Sequence, residues 1–109
     1  MGSVVGTTRR AAHAQMQIVW AEPALRDLAA ARAYIARDNP PASDEQIERV
    51  IAAVADLLRF PQIGRSGRRE GTRELVIGRT PYIVPYRLRG DHIEILRVLH
   101  GRQRWPDEL

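Results

Sequence analysis

Residues 82–105 read Tyr-Ile-Val-Pro-Tyr-Arg-Leu-Arg-Gly-Asp-His-Ile-Glu-Ile-Leu-Arg-Val-Leu-His-Gly-Arg-Gln-Arg-Trp. Two runs rich in β-formers, 82–88 and 92–99, flank Gly90-Asp91, the signature of a hairpin. A basic, aromatic segment follows. Ile93, Ile95 and Leu99 alternate on one side of the second run, with Leu96 and Val98 on the other. A strand apolar on both faces belongs inside a sheet. Pro85 is a misfit, because it has no N–H to give to a ladder. It predicts a bulge or a locally free edge.

Working outward, Gln17–Ala21 reads as a first strand and Glu22-Pro23 as a helix start. Leu25, Leu28, Ala31 or Arg32, and Ile35 recur at helical spacing as far as the Asp38-Asn39-Pro40-Pro41 stop. Ser43 with Gln46 forms a capping-box pattern ahead of the apolar stripe Ile47, Val50, Ile51, Val54, Leu57 and Leu58. The short connection predicts an αα-hairpin. A Gly- and Arg-rich loop fills 61–71, and Thr72–Ile77 reads as the strand before the 82–99 hairpin. The order is β-α-α-β-β-β, and the economical packing is an α+β domain, a helical hairpin on a small twisted, mainly antiparallel sheet. Residues 1–15 read as a flexible extension and 16–109 as the single domain.

The chain has 109 residues, no cysteine, and a net charge of +4. Disulfides and thiolate chemistry are excluded. No run approaches a membrane span, and cytoplasmic placement is expected. All 17 basic residues are arginine. Arginine grips phosphate or carboxylate in a planar fork but is a poor proton shuttle. Residues 16–60 hold five Arg against seven acids, and residues 65–109 hold ten against six. That split predicts an acidic partner or a nucleic-acid surface for the second half.

The three serines and three histidines form neither a nucleophile elbow nor a metal-ligand spacing; no cofactor or metal is expected. His100, beside Gly101 and Arg102, is the one candidate general base, unless it simply bonds backbone at a strand end. Arg65, Arg68, Arg69 and Arg73 line the loop into the second strand. Arg87 and Arg97 are expected as neighbours across the hairpin. Arg97 interrupts an apolar strand and calls for a carboxylate partner, Glu74 or Glu94. Arg102 and Arg104 flank the exit next to Trp105.

From about Ile18 to Trp105 the chain resembles the RelE/ParE toxins of type II toxin–antitoxin modules. The carrying stretches are Trp20-Ala21-Glu22-Pro23-Ala24-Leu25-Arg26-Asp27-Leu28, Pro61-Gln62-Ile63-Gly64-Arg65, Tyr86-Arg87-Leu88, and Ile95-Leu96-Arg97-Val98-Leu99-His100. The resemblance implies two helices on one face of a small twisted sheet. RelE-like members cut mRNA on the ribosome with clustered lysines, arginines and a C-terminal tyrosine or histidine. Here Glu74 and Val76 stand where lysines are expected, Ile83 follows Tyr82, and no tyrosine follows Tyr86. The resemblance therefore favours the ParE-like branch, which poisons DNA gyrase and is not a nuclease. The implied target-binding residues are Arg87, His100, Arg102, Arg104 and Trp105. The alternative is a ribosome-dependent mRNA endonuclease using Arg65, Arg69 and Arg73 for phosphate and His100 as base. The family further implies an acidic antitoxin, expected at Arg68, Arg69, Arg73, Tyr82 and Tyr86, with operator DNA contacted only through that antitoxin and no membrane partner.

Overall fold

In the computed structural model, which describes residues 16–109, the expected order is present with two short strands added. β1 spans Gln17–Trp20, α1 Glu22–Asp38 and α2 Pro40–Ala55, which continues into a 3-10 turn at Asp56–Leu58. β2 (Arg65–Ser66), β3 (Arg73–Val76), β4 (Tyr82–Arg89), β5 (His92–Ile95) and β6 (Leu99–His100) follow. The extension read at 1–15 lies outside the described residues.

The helix junction is tighter than the sequence suggests. Asn39 alone joins the helices: its N–H donates to the Ile35 carbonyl, closing α1, and its Oδ1 accepts from the Ala42 N–H, capping α2. The expected capping box at Ser43 does not form. Ser43 is buried inside α2 and its hydroxyl donates to the Arg32 carbonyl at 2.9 Å, pinning one helix to the other. The buried stripes are also narrower than the periodicity implies. Ile47, Val50, Val54 and Leu57 are buried, whereas Ile51 and Leu58 are exposed. On α1 the buried positions are Ala24 and Ala31, with Leu28 and Ile35 at the core margin and Leu25 exposed.

The sheet order is β1-β5-β4-β3-β2, with β6 paired to β4 beyond the end of β5. β1 runs parallel to β5, and the other pairings are antiparallel. Tyr82, Val84 and Tyr86 of β4 join Ile93 and Ile95 of β5 and the helix stripes in one core. Ile83, Pro85, Arg87 and Arg89 stand on the opposite, outer face by strand alternation.

The single strand expected over 92–99 is interrupted. Tyr86 pairs with Ile95, but Ile83 pairs with Leu99, so Val84 and Pro85 face three residues, Leu96–Val98. This is a β-bulge. It lies opposite Pro85, whose carbonyl accepts from the Leu96 N–H at 2.9 Å while its nitrogen has no proton to offer. The extra residue reverses the alternation. Val98 joins Ile93 and Ile95 in the core, and Leu99 goes to the outer face with Ile83, the reverse of the expected assignment.

Asp27 on α1 holds the bulge. Its carboxylate accepts the Val98 N–H at 2.9 Å and both Arg97 donors, Nε at 2.7 Å and Nη2 at 2.9 Å. The partner of Arg97 is therefore Asp27, not Glu74 or Glu94, and Arg97 does not sit beside Arg87, which pairs with Glu94. The hydrogen bond to Asp27 raises the Arg97 pKa further, against the opposing effect of burial, and fixes the cation.

Burial raises the pKa of Tyr82 and of Tyr86; Tyr34 reinforces the shift at Tyr82, while the Gly64 N–H and Arg73 partly offset it at Tyr86. The unfolded phenols ionise near pH 10, so the stabilisation is fully present below about pH 10 and is lost above it, as the unfolded chain sheds protons that the native state keeps. Melting temperature should fall as pH rises past about 10, and less steeply in Tyr82→Phe. A flat alkaline profile would contradict this.

Candidate functional site

Cross-strand register brings Arg65 beside Glu74 and Arg87 beside Glu94 on the outer face. Glu74 is 3% exposed, so its charge needs compensation. It receives Arg65 Nη2 at 3.1 Å, the Arg68 main-chain N–H at 2.8 Å, and the Arg68 guanidinium at 3.7 Å. Glu94 accepts from Arg87 Nε and lies 3.9 Å from Arg89 Nε.

The segment after β6 folds over this face. The Arg68 guanidinium lies 3.5 Å from the centre of the Trp105 ring, a cation–π stack. Arg69 Nη2 donates to the Pro106 carbonyl at 2.8 Å. The Trp105 indole N–H is buried and has no hydrogen-bond partner, an arrangement that costs about 1–3 kcal/mol. A cleft of about 310 Å³ remains, lined by Arg69, Glu70, Thr72, Arg87 and Leu96 together with Asp107, Glu108 and Leu109.

Arg73 faces inward at the same edge. Its Nη1 donates to the carbonyls of Gln62 (3.0 Å) and Gly64 (2.8 Å). Tyr86, wholly buried, donates its hydroxyl proton to the Pro61 carbonyl at 2.8 Å and accepts the Gly64 N–H at 2.9 Å. Both side chains thus hold the 61–64 loop. Tyr86 offers no surface to a partner, contrary to the expectation placed on it.

His100 stands elsewhere. Its register with Tyr82 turns it to the helix side, where its ring meets Tyr82 edge-on at 5.9 Å. It borders an open cleft of about 400 Å³ with Tyr34, Tyr82 and Gln103. Gln103 Oε1 accepts the His100 N–H at 2.7 Å, and His100 Nδ1 accepts the Arg102 N–H at 3.0 Å. Three strand spacings, roughly 14 Å, separate β6 from β2, and Arg65 faces the other way. The fold therefore brings Arg65, Arg68, Arg69, Arg87 and Trp105 together and leaves His100 apart from them. Arg102 and Arg104 are exposed.

The sequence reading missed three participants. Asp27 could have been noticed, since it stands three residues after Ala24 and four before Ala31, on the buried stripe of α1. Tyr34 and Gln103 carried no comparable signal.

A Cβ on Gly64 would stand 2.7 Å from the Tyr86 ring and 2.8 Å from its hydroxyl. Gly64→Ala should therefore displace Tyr86 and destabilise the protein by roughly 2 kcal/mol in denaturant unfolding. Unchanged stability would mean that the loop is not held as described.

The family model described as "ParE toxin of type II toxin-antitoxin system, parDE" matches residues 18–105. Protein Y4kP of Sinorhizobium fredii is 45% identical over 93 residues, 85% of this chain and 96% of the relative. Toxin RelE2 of Caulobacter vibrioides is 34% identical over 85 residues, covering 78% and 94%. Among solved structures, the chromosomal ParDE toxin–antitoxin system of P. aeruginosa superposes with a TM-score of 0.74 at 26% identity, covering 80% of this chain and 97% of that one. The RelBE2 toxin–antitoxin complex of Mycobacterium tuberculosis gives 0.56 at 28%, covering 79% and 98%. With its fold, motifs and nearly full-length match in agreement, the chain belongs to the ParE toxin family of type II toxin–antitoxin systems.

Proposed function

We propose that this toxin arrests growth by binding DNA gyrase, without catalysis of its own, and that a cognate acidic antitoxin neutralises it. The carrying observation is the separation of its arginine-bearing face from the candidate base His100. Phosphodiester cleavage by an amino-acid base needs that base within hydrogen-bond reach of the nucleophile and cations at the same phosphate. Here His100 faces the helix side with Nδ1 engaged by a main-chain N–H. Arg65 and Arg68 share the single carboxylate of Glu74, and Arg73 is engaged by carbonyls. A binding surface needs no such convergence. Arg102 and Arg104 are exposed and near Trp105 in sequence, available to a target, and Arg87 borders the cleft on the outer face. The ParE family match and the ParDE system among its structural neighbours support the antitoxin partner.

Purified toxin added to gyrase should inhibit supercoiling or accumulate cleaved DNA, and it should leave mRNA intact in a translating extract. Arg102→Glu with Arg104→Glu should weaken inhibition by about tenfold or more, the scale of losing two interfacial charges. His100→Gln should still arrest growth. The reading fails if gyrase is unaffected at high toxin concentration, or if mRNA is cut by the wild type and spared by His100→Gln.

A further inference from the structure

Most arginines of the second half of the chain are engaged within the fold. Arg65, Arg68, Arg87 and Arg89 lie at ion-pair distance from Glu74 or Glu94, and Arg97 holds Asp27. Arg69 and Arg73 donate to main-chain carbonyls. The side chains of Arg79, Arg102 and Arg104 have neither kind of partner among the described residues, and all three residues are exposed. Arg79 also has a φ of +63°, the one positive φ outside glycine among the described residues. The Thr80 N–H donates to the Ile77 carbonyl and closes a turn with Gly78 and Arg79 at its centre. Positive φ at the second central residue alone is the type II pattern, which takes glycine or asparagine there. Here the glycine stands one place too early, and an arginine accepts the strained conformation. The Gly78 and Arg79 N–H groups have no acceptor among the described residues. The Gly101 N–H donates to the Pro81 carbonyl at 2.8 Å and His100 pairs with Tyr82, so the turn and Arg102 share one end of the sheet. No acidic residue occurs in 75–90 or in 95–106, so neither stretch offsets these charges.

We propose that this end of the sheet contacts the sugar–phosphate backbone of duplex DNA, whatever its base sequence, with Arg79 as the leading cation and Arg102 beside it. The 77–80 turn is an exposed tip where no packing calls for arginine, so a side chain kept there against its backbone preference acts outside the fold. A phosphate takes hydrogen bonds from a guanidinium fork and from main-chain N–H groups together, and the turn offers both. Protein–DNA interfaces are far more uniformly positive than protein–protein ones, which matches an end that carries bare arginines and no acid. On the gyrase reading above, this DNA is the segment that the enzyme holds; that identification rests on the gyrase reading, and the contact itself does not.

Fluorescence anisotropy of a labelled duplex oligonucleotide, with the full chain and without gyrase, tests the contact. Near 0.1 M salt the wild type should bind roughly fivefold to tenfold more tightly than Arg79→Gly, and the slope of log affinity against log salt should be shallower by about one in the variant. Arg79→Lys keeps a phosphate-binding cation and should retain most of the affinity. Arg79→Gly should melt no lower than the wild type, because glycine adopts positive φ freely, so that its lost binding is not lost folding. Arg26→Gln removes an equal charge from an exposed α1 ion pair and should leave the slope unchanged. No binding by the wild type, equal slopes for the wild type and Arg79→Gly, or an equal loss in Arg26→Gln overturns the proposal. A lower melting temperature for Arg79→Gly contradicts the strain assigned to the turn. Displacement of the duplex by polyglutamate as readily as by unlabelled duplex overturns the assignment to DNA. Because the assay contains no gyrase, its failure leaves the supercoiling result standing, and a failed supercoiling assay leaves the duplex result standing.

Discussion

The contact between Asp27 and the β-bulge is the constraint on which the rest of this structure turns. Pro85 cannot complete a ladder on the β5–β6 side of β4, and the chain answers with one extra residue at Leu96–Val98. The bulge would leave a main-chain N–H and an arginine at the sheet–helix boundary, each costly there without a partner. One carboxylate from α1 satisfies both. Because Asp27 and Arg97 are 70 positions apart, the same interaction joins the start of the fold to its end.

The placement of the functional groups follows from that bulge. It reverses the alternation, sending Val98 into the core and His100 to the helix side beside Tyr82. Without the extra residue, His100 would fall on the outer face with Arg87. The bulge thus separates His100 from the arginine-bearing face, and leaves that face to the ion pairs around Glu74 and Glu94 and to the segment ending at Leu109. The Arg87–Glu94 pair is about one-third exposed, and such pairs contribute at most about 1 kcal/mol. Its consequence is orientation: it holds Arg87 at the margin of the cleft that Asp107 and Glu108 line.

The architecture was legible because periodicity and turn chemistry report on it directly. The Gly90-Asp91 hairpin, the α2 stripe and the proline-punctuated helix break are all local signals, and the α+β order with helices on one face followed from them. Pro85 correctly marked an irregularity, but a lone sequence does not say how the opposite strand answers, so the faces of Val98 and Leu99 came out reversed. Ion pairing was the least legible. Arg97 plainly needed a carboxylate, yet its choice among Asp27, Glu74 and Glu94 depends on tertiary geometry. The loop arginines looked free because nothing local to them reveals that Glu74 is buried beneath Arg65 and Arg68. Tyr86 looked like a contact residue because an aromatic between charges reads the same whether it faces a partner or holds a loop from inside.

A double-mutant cycle on Asp27 and Arg97, read by denaturant unfolding and by exchange of the Val98 amide, tests the account most directly. Asp27→Ala should destabilise by about 3 kcal/mol, because it strands a half-buried cation and an N–H together. Combining it with Arg97→Met should recover part of that loss, giving a coupling of about 1–2 kcal/mol. The Val98 amide should exchange faster in both variants that lack Asp27. Additive effects, with Val98 exchange unchanged, would contradict the claim that this carboxylate holds the bulge and, through it, the arrangement of the two faces.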